Sequence, residues 1–323
     1  MAIFLSWCTC ARKEIALYSD PGFGIFCNMT ISKYHSTVLM PRIEKPYPFL
    51  LNFLSKRFPS IDRGTWKARI LAGKVLTEKG DPICLTTPYT PLKKLYYFRE
   101  VAREPSIPFI EKILFCNADL LVACKPHFLP VIPGGPYVNE CLLNRLKKKT
   151  GNENLSPINR IDRGTAGLVL FSMNPKTRGR YQELFMNHRV EKTYRAVTTY
   201  SGVTGDNFWT VENRIIQGDP WFTMKVIPGK PNAVSKISMV KTKGEKALFK
   251  VSPVTGKKHQ LRLHLSGLGF PILNDRVYPK LLEEKKLDFT NPLQLLAEKI
   301  RFKDPLSGRK MSYTSERHLV WQD

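Results

Sequence analysis

Apolar residues recur at helical spacing from Pro46 onward, where Phe49, Leu50, Phe53 and Leu54 define one face and Lys56 and Arg57 stand at the end that favours cations. A second helix follows. Asp62 suits its N-cap, Trp66 and Ile70 lie four apart on the buried side, and Gly73 suits its stop. The run AGKVLTEKGDPI and the residues to about Leu95 predict a small strand pair. From about Pro108 the pattern changes: Leu120 to Cys124 reads as a short buried strand, prolines punctuate a loop, and Leu142, Leu143 and Leu146 predict a helix ending in Lys147 to Lys149. Gly167 to Phe171 reads as a strand and Thr177 to Asn187 as a helix with Tyr181, Leu184 and Phe185 inside. Strand-like runs follow at 193–199, 222–227, 233–240 and 248–251, and Leu261, Leu265 and Leu268 share a helical face. Helices interspersed among mostly non-crossover strands predict an α+β body with a mixed, largely antiparallel sheet.

At 323 residues the chain exceeds one average domain. The expected organisation is an extension of unassigned role over residues 1–39, a small module over 40–104 and a main body over 105–323. A formal net charge of +24, from 51 Lys and Arg against 27 Asp and Glu, points to a polyanionic partner. No apolar run reaches bilayer length and no long basic amphipathic helix is visible, so nucleic acid is preferred to a membrane. The apolar stretch before Arg12 lacks the basic start of a secretory signal. Seven cysteines, Cys8, Cys10, Cys27, Cys84, Cys116, Cys124 and Cys141, form no CxxC pair and fit reduced, mostly buried thiols in a cytoplasmic protein.

Three segments carry candidate chemistry. Residues 157–171, PINRIDRGTAGLVLF, set Asp162 between Arg160 and Arg163, an arrangement that suits an anionic side chain and gathers phosphate around it, while Gly164 and Gly167 let the backbone turn beside a ligand. Such a carboxylate can act as nucleophile or proton acceptor, or be a salt-bridged surface turn. In VEKTYRAV, residues 190–197, Tyr194 is either a half-buried strand aromatic or a platform for an extruded base. In residues 254–278, His259 and Arg262 lie three apart on one face, and an arginine there can fork onto a carboxylate. His259 and His264 are five apart with no carboxylate nearby, so no metal site is expected.

The order of these segments resembles the RluA-type pseudouridine synthases. Asn159 to Leu168 match the H-R-L-D-R-x-T-S-G-L pattern, with Asn159 where histidine is usual and Ala166 where a small hydroxyl residue is usual. Glu191, Lys192, Tyr194 and Ala196 match E-K-x-Y-x-A. His259, Gln260, Arg262, His264 and Leu265 match the third motif, with Lys257 and Lys258 where Arg and Thr are usual. Lys125, Pro126 and Pro133 fit the family's entry strand and turn, and residues 300–308 its closing strand. The segment around the two early helices resembles the alpha-L RNA-binding module first known from a ribosomal protein.

This resemblance implies a pseudouridine synthase fold preceded by a small α/β RNA-binding module, acting as a monomer on ribosomal or transfer RNA with neither cofactor nor metal. It implies that Asp162 initiates the reaction, by attack on the sugar or by removing a sugar proton, that Tyr194 supports a flipped uracil and that Arg262 pairs with Asp162. Arg160 would fill the space vacated in the RNA; Arg163, Thr165, His259 and Gln260 would contact RNA, as would Lys56, Arg57, Arg63, Lys67, Arg69 and Lys74 on the module. The rival readings are a non-catalytic RNA-binding protein on the same scaffold and a metal-dependent nuclease, which chelation would reveal.

Overall fold

The computed structural model describes residues 29–59, 61–202, 205–283 and 288–321. Its first elements are β1 (Thr30–Ile31), β2 (Ser36–Leu39), α1 (Leu50–Arg57), α2 (Arg63–Leu71), β3 (Val75–Thr77), β4 (Lys94–Tyr97) and β5 (Glu100–Val101). Strands β2, β4 and β3 form an antiparallel sheet in that order, and β1 pairs with β5. Residues 30–39, expected to belong to an extension, therefore pair with strands of the module. Of the four residues of β2 only Val38 is buried, too short an alternation to stand out in the sequence.

The two early helices form as their sequence dictates. Asp62 accepts the Thr65 N–H at 2.8 Å, and Gly73 follows the last turn of α2 with φ +68°. Trp66 is fully buried, its ring 5.4 Å from Phe58 and 5.5 Å from Tyr97. Leu50, Leu51, Phe53 and Leu54 pack from α1, while Phe49, expected on that face, stands at the N-cap and is exposed.

The main body comprises β6 (Lys112–Cys116), β7 (Leu120–Lys125), α3 (Leu142–Thr150), β8 (Ser156–Pro157), β9 (Ala166–Ser172), α4 (Arg178–Met186), β10 (Glu191–Thr199), β11 (Phe208–Gln217), β12 (Met224–Ile227), β13 (Ala233–Lys243), β14 (Lys246–Pro253), α5 (Gln260–Gly267), β15 (Leu295–Lys303) and β16 (Lys310–Thr314). Its sheet runs β12-β11-β13-β14-β10-β15-β9-β7-β6, with β16 on β15 and β8 on β9. Every pairing is antiparallel except β15 with β9, so the expected mixed, largely antiparallel α+β sheet is what forms.

Strands β7 and β9 are buried at every position because both of their faces are covered. Leu121, Ala123, Val169 and Phe171 pack with Leu142 and Leu146 of α3, while Leu120, Val122, Leu168 and Leu170 pack with Tyr181 and Leu184 of α4. A third cluster joins β10, β13 and β14 to Leu261 and Leu265 of α5.

Strand β15 is the seam between these halves. Ala297 is in register with Gly167 of β9 on one side and with Tyr194 of β10 on the other. Gly167 has φ +111°, and a Cβ there would lie 2.2 Å from the Ala297 carbonyl oxygen, so only glycine permits the approach. A bulge between Thr193 and Tyr194 re-aims the tyrosine.

Of the cysteines expected to be buried, Cys124 and Cys141 are, whereas Cys84 in a loop and Cys116 at the end of β6 are exposed; Cys8, Cys10 and Cys27 lie outside the described residues. Among the described residues no helix is long and apolar enough to cross a membrane.

Candidate active site

The loop between β8 and β9 is anchored from three sides before it presents Asp162. Asn159 Oδ1 accepts the Leu170 N–H at 2.8 Å, and the Asp162 carbonyl accepts the Thr165 N–H at 3.1 Å. Lys125 at the end of β7 is wholly buried, and its Nζ donates to the carbonyls of Pro126 (2.8 Å), Leu129 (2.6 Å) and Arg163 (3.1 Å). Burial pushes its pKa well below the ordinary lysine value, with Asp162 opposing that shift. His127 Nδ1 lies 2.7 Å from the Gly164 carbonyl oxygen.

Arg262 of α5 reaches this loop with one end of its guanidinium. Nη1 donates to Asp162 Oδ2 at 3.3 Å, while Nε and Nη2 form a bidentate pair with Asp275 at 2.7 and 2.6 Å. Burial works against its charge, but Asp275 and then Asp162 more than offset it, and its pKa rises. His259, at the N-cap of α5, places Nε2 3.9 Å from Asp162 Oδ2 and Nδ1 2.8 Å from the Tyr278 hydroxyl. That hydroxyl accepts the Met224 N–H at 2.8 Å and lies 3.1 Å from the Met224 carbonyl oxygen, which ties His259 to the start of β12. Burial pushes His259 down to about 4. Tyr194 is half-buried; burial, then the Asp162 charge, raises the pKa of its hydroxyl.

Asp162, Tyr194 and Arg262 therefore line one cleft of about 380 Å³, as the sequence motifs led us to expect, together with Arg160, Thr165, Lys192, His259 and Gln260. Arg160 is exposed at the cleft. Thr165 is almost fully buried.

Several expected RNA contacts are placed otherwise. Gln260 is buried with its amide fully engaged: Oε1 accepts from Thr255 Oγ1 (2.7 Å) and the Lys257 N–H (2.9 Å), and Nε2 donates to the Val234 carbonyl (3.0 Å) and Ser235 Oγ (2.8 Å). These bonds brace the cleft wall. Arg163 leaves the cleft and lies over the Tyr137 ring, 5.5 Å from its centroid. On the module Lys56, Arg57, Arg63 and Lys67 are exposed, but Arg69 is buried against Trp66 and paired with Glu100 at 3.0 Å, and Lys74 pairs with the same carboxylate. A surface tally of basic residues does not reveal such a buried acceptor thirty residues downstream.

Two supports lie in the motif segments but were assigned no role there. Asp275 fixes Arg262 from beyond the end of α5, and its signal was the need of a buried fork for a second carboxylate. Lys192 lines the cleft and donates to the Thr255 carbonyl at 3.3 Å; burial lowers its pKa. His264 turns to Asn213 Oδ1 at 3.1 Å, and among the described residues no group of three His, Cys, Asp or Glu side chains is placed to hold a metal.

Residues 119–267, which contain this whole constellation except Asp275 and Tyr278, match the family model described as RNA pseudouridylate synthase. The chain is 32% identical over 234 residues to an uncharacterized RNA pseudouridine synthase of Synechocystis, covering 71% of this chain and 79% of that one. It is 28% identical over 221 residues to the dual-specificity RNA pseudouridine synthase RluA of Haemophilus influenzae, covering 66% and 95%. Among solved structures, human RNA pseudouridylate synthase domain-containing 4 aligns with a TM-score of 0.50 at 26% identity over 63% of this chain and 87% of that one. The chain belongs to the RluA-type RNA pseudouridine synthases. It is an isomerase of RNA uridine.

Proposed function

We propose that a uridine of ribosomal or transfer RNA is extruded into this cleft and that Asp162 initiates its isomerisation. The reaction breaks the bond from the sugar C1′ to N1, turns the base and joins C1′ to C5; C5 gives up its proton and N1 gains one, so no redox partner is needed. Base extrusion demands an apolar platform inside and cationic groups outside. Tyr194 serves as the platform, its hydroxyl kept protonated by burial and by Asp162. Arg262 orients the carboxylate, and the exposed Arg160 fills the space left in the RNA stack.

The observation that carries the reading is the 3.3 Å contact between Arg262 and Asp162 at the edge of a cleft that also holds Tyr194. Asp162→Asn is expected to lower pseudouridine formation by about 10²–10⁴-fold, with RNA affinity changed little. Release of tritium from 5-tritiated uridine in RNA measures the first and filter binding the second; undiminished turnover refutes the assignment. Mapping pseudouridine in ribosomal and transfer RNA from cells with and without the gene identifies the target.

A further inference from the structure

The tip between β11 and β12 carries Trp221, which is 72% exposed. Phe222 beside it is 39% exposed, so the tip presents two adjacent rings to solvent, and a contiguous apolar patch marks an interaction site. Its setting suits a nucleobase. Lys258 Nζ sits 5.8 Å from the ring centroid, and Phe222 meets the ring edge-on at 6.1 Å. Lys258 lies within electrostatic reach of Asp162 and Arg262, and its chain neighbours Lys257 and His259 line the cleft, so the tryptophan stands beside the mouth.

The backbone of the tip is well hydrogen-bonded. Thr223 donates its N–H (2.8 Å) and its Oγ1 (2.7 Å) to the Pro220 carbonyl and accepts the Gly218 N–H at 3.1 Å. A Cβ at Gly218 would meet Thr223 Oγ1 at 2.5 Å and so displace that hydroxyl from its bond to the Pro220 carbonyl. Just beyond it, Met224 is bound through both backbone groups to Tyr278, which contacts His259. A turn whose backbone is bonded in this way has less freedom to lose on contact, which favours binding.

We propose that Trp221 stacks on a nucleobase flanking the target uridine, with Lys258 at the intervening phosphate. The proposal rests on the cleft being the uridine site, and its test is separable from that reading. The full chain carrying Asp162→Asn is titrated with a 12-nucleotide single-stranded RNA holding one uridine among cytidines, and binding alone is scored. Adding Trp221→Ala weakens binding by about 5- to 150-fold at every salt concentration, as loss of one stacked base does. Trp221→Phe keeps most of the affinity. Lys258→Gln lowers the dependence of log K on log salt by about one contact. Abasic sites on both sides of the uridine cost the parent the same factor and the alanine variant nothing further. RNA quenches tryptophan emission in the parent, and the phenylalanine variant loses that quench.

Parent-like affinity in Trp221→Ala, equal loss by both proteins on the abasic RNA, or absence of a Trp221-dependent quench overturns the proposal and leaves a protein partner as the ring's occupant. Unchanged thermal midpoints show that the exposed substitution leaves the fold intact. Failure of the catalytic assignment would appear as turnover by Asp162→Asn, a different readout.

Discussion

Arg262 divides one guanidinium between two carboxylates, and the division is unequal. Asp275, with its side chain 1% exposed, takes the fork and also accepts the N–H groups of Val277 (2.9 Å) and Tyr278 (3.2 Å); Asp162, 26% exposed, receives a single longer contact. The buried carboxylate thus fixes the arginine, and the arginine positions the acid that faces the cleft. Breaking a buried pair from one side leaves a charge without its partner, at a cost of about 3–5 kcal/mol. Asp275→Asn is therefore expected to lower the unfolding free energy by about 3 kcal/mol and pseudouridine formation at least tenfold. Asp162→Asn should cost stability far less, because its carboxylate is partly solvated. Urea titration of both variants beside the parent decides this, and equal stability losses would contradict the division of roles.

At the scale of elements, the site depends on how closely β9 and β15 approach. Gly167→Ala would set a methyl group 2.2 Å from the Ala297 carbonyl oxygen, against backbone that cannot move without opening the sheet between Asp162 and Tyr194. The expected loss is about 3 kcal/mol or more, read as a lower urea midpoint together with reduced activity; a parent-like midpoint would show that the seam gives way. How much of this was legible varies by element. The continuous apolar runs of β7 and β9 announce strands covered on both faces, and Asp62, Trp66, Ile70 and Gly73 announce α2. By contrast β11, FWTVENRIIQ, escaped notice because it mixes apolar with polar residues and buries only Ile215. The start of β15, LLAE, consists of good helix formers, and tertiary pairing overrides that preference. In the site, Asp162, Tyr194 and Arg262 were legible from their motifs. The inward commitments of Gln260, Arg69 and Lys74 were not, because a sequence shows charge and polarity without showing which partner has already claimed them.

Over the whole molecule, three histidines are held neutral. His127, His259 and His264 are each pushed down to about 4, by burial first in every case. Unfolded histidine titrates near 6.5, so below that pH the unfolded chain binds protons that the folded chain refuses. Stability is then fully present above about 6.5 and falls as pH drops toward 4, on the order of 1 kcal/mol per pH unit for each histidine. Urea midpoints taken across this range should show that slope, and His264→Gln should reduce it by one proton; a flat profile would contradict neutral burial. The seam strand also bears on biogenesis. Among the described residues, strands β6 to β9 and strands β10 to β14 join in the sheet only through residues 295–303, which are made after both sets. A chain that has emerged from the ribosome through α5 already carries its aspartate, tyrosine and arginine, yet the sheet between them stays open until residues 295–303 follow, so the pocket closes only after both halves have been made.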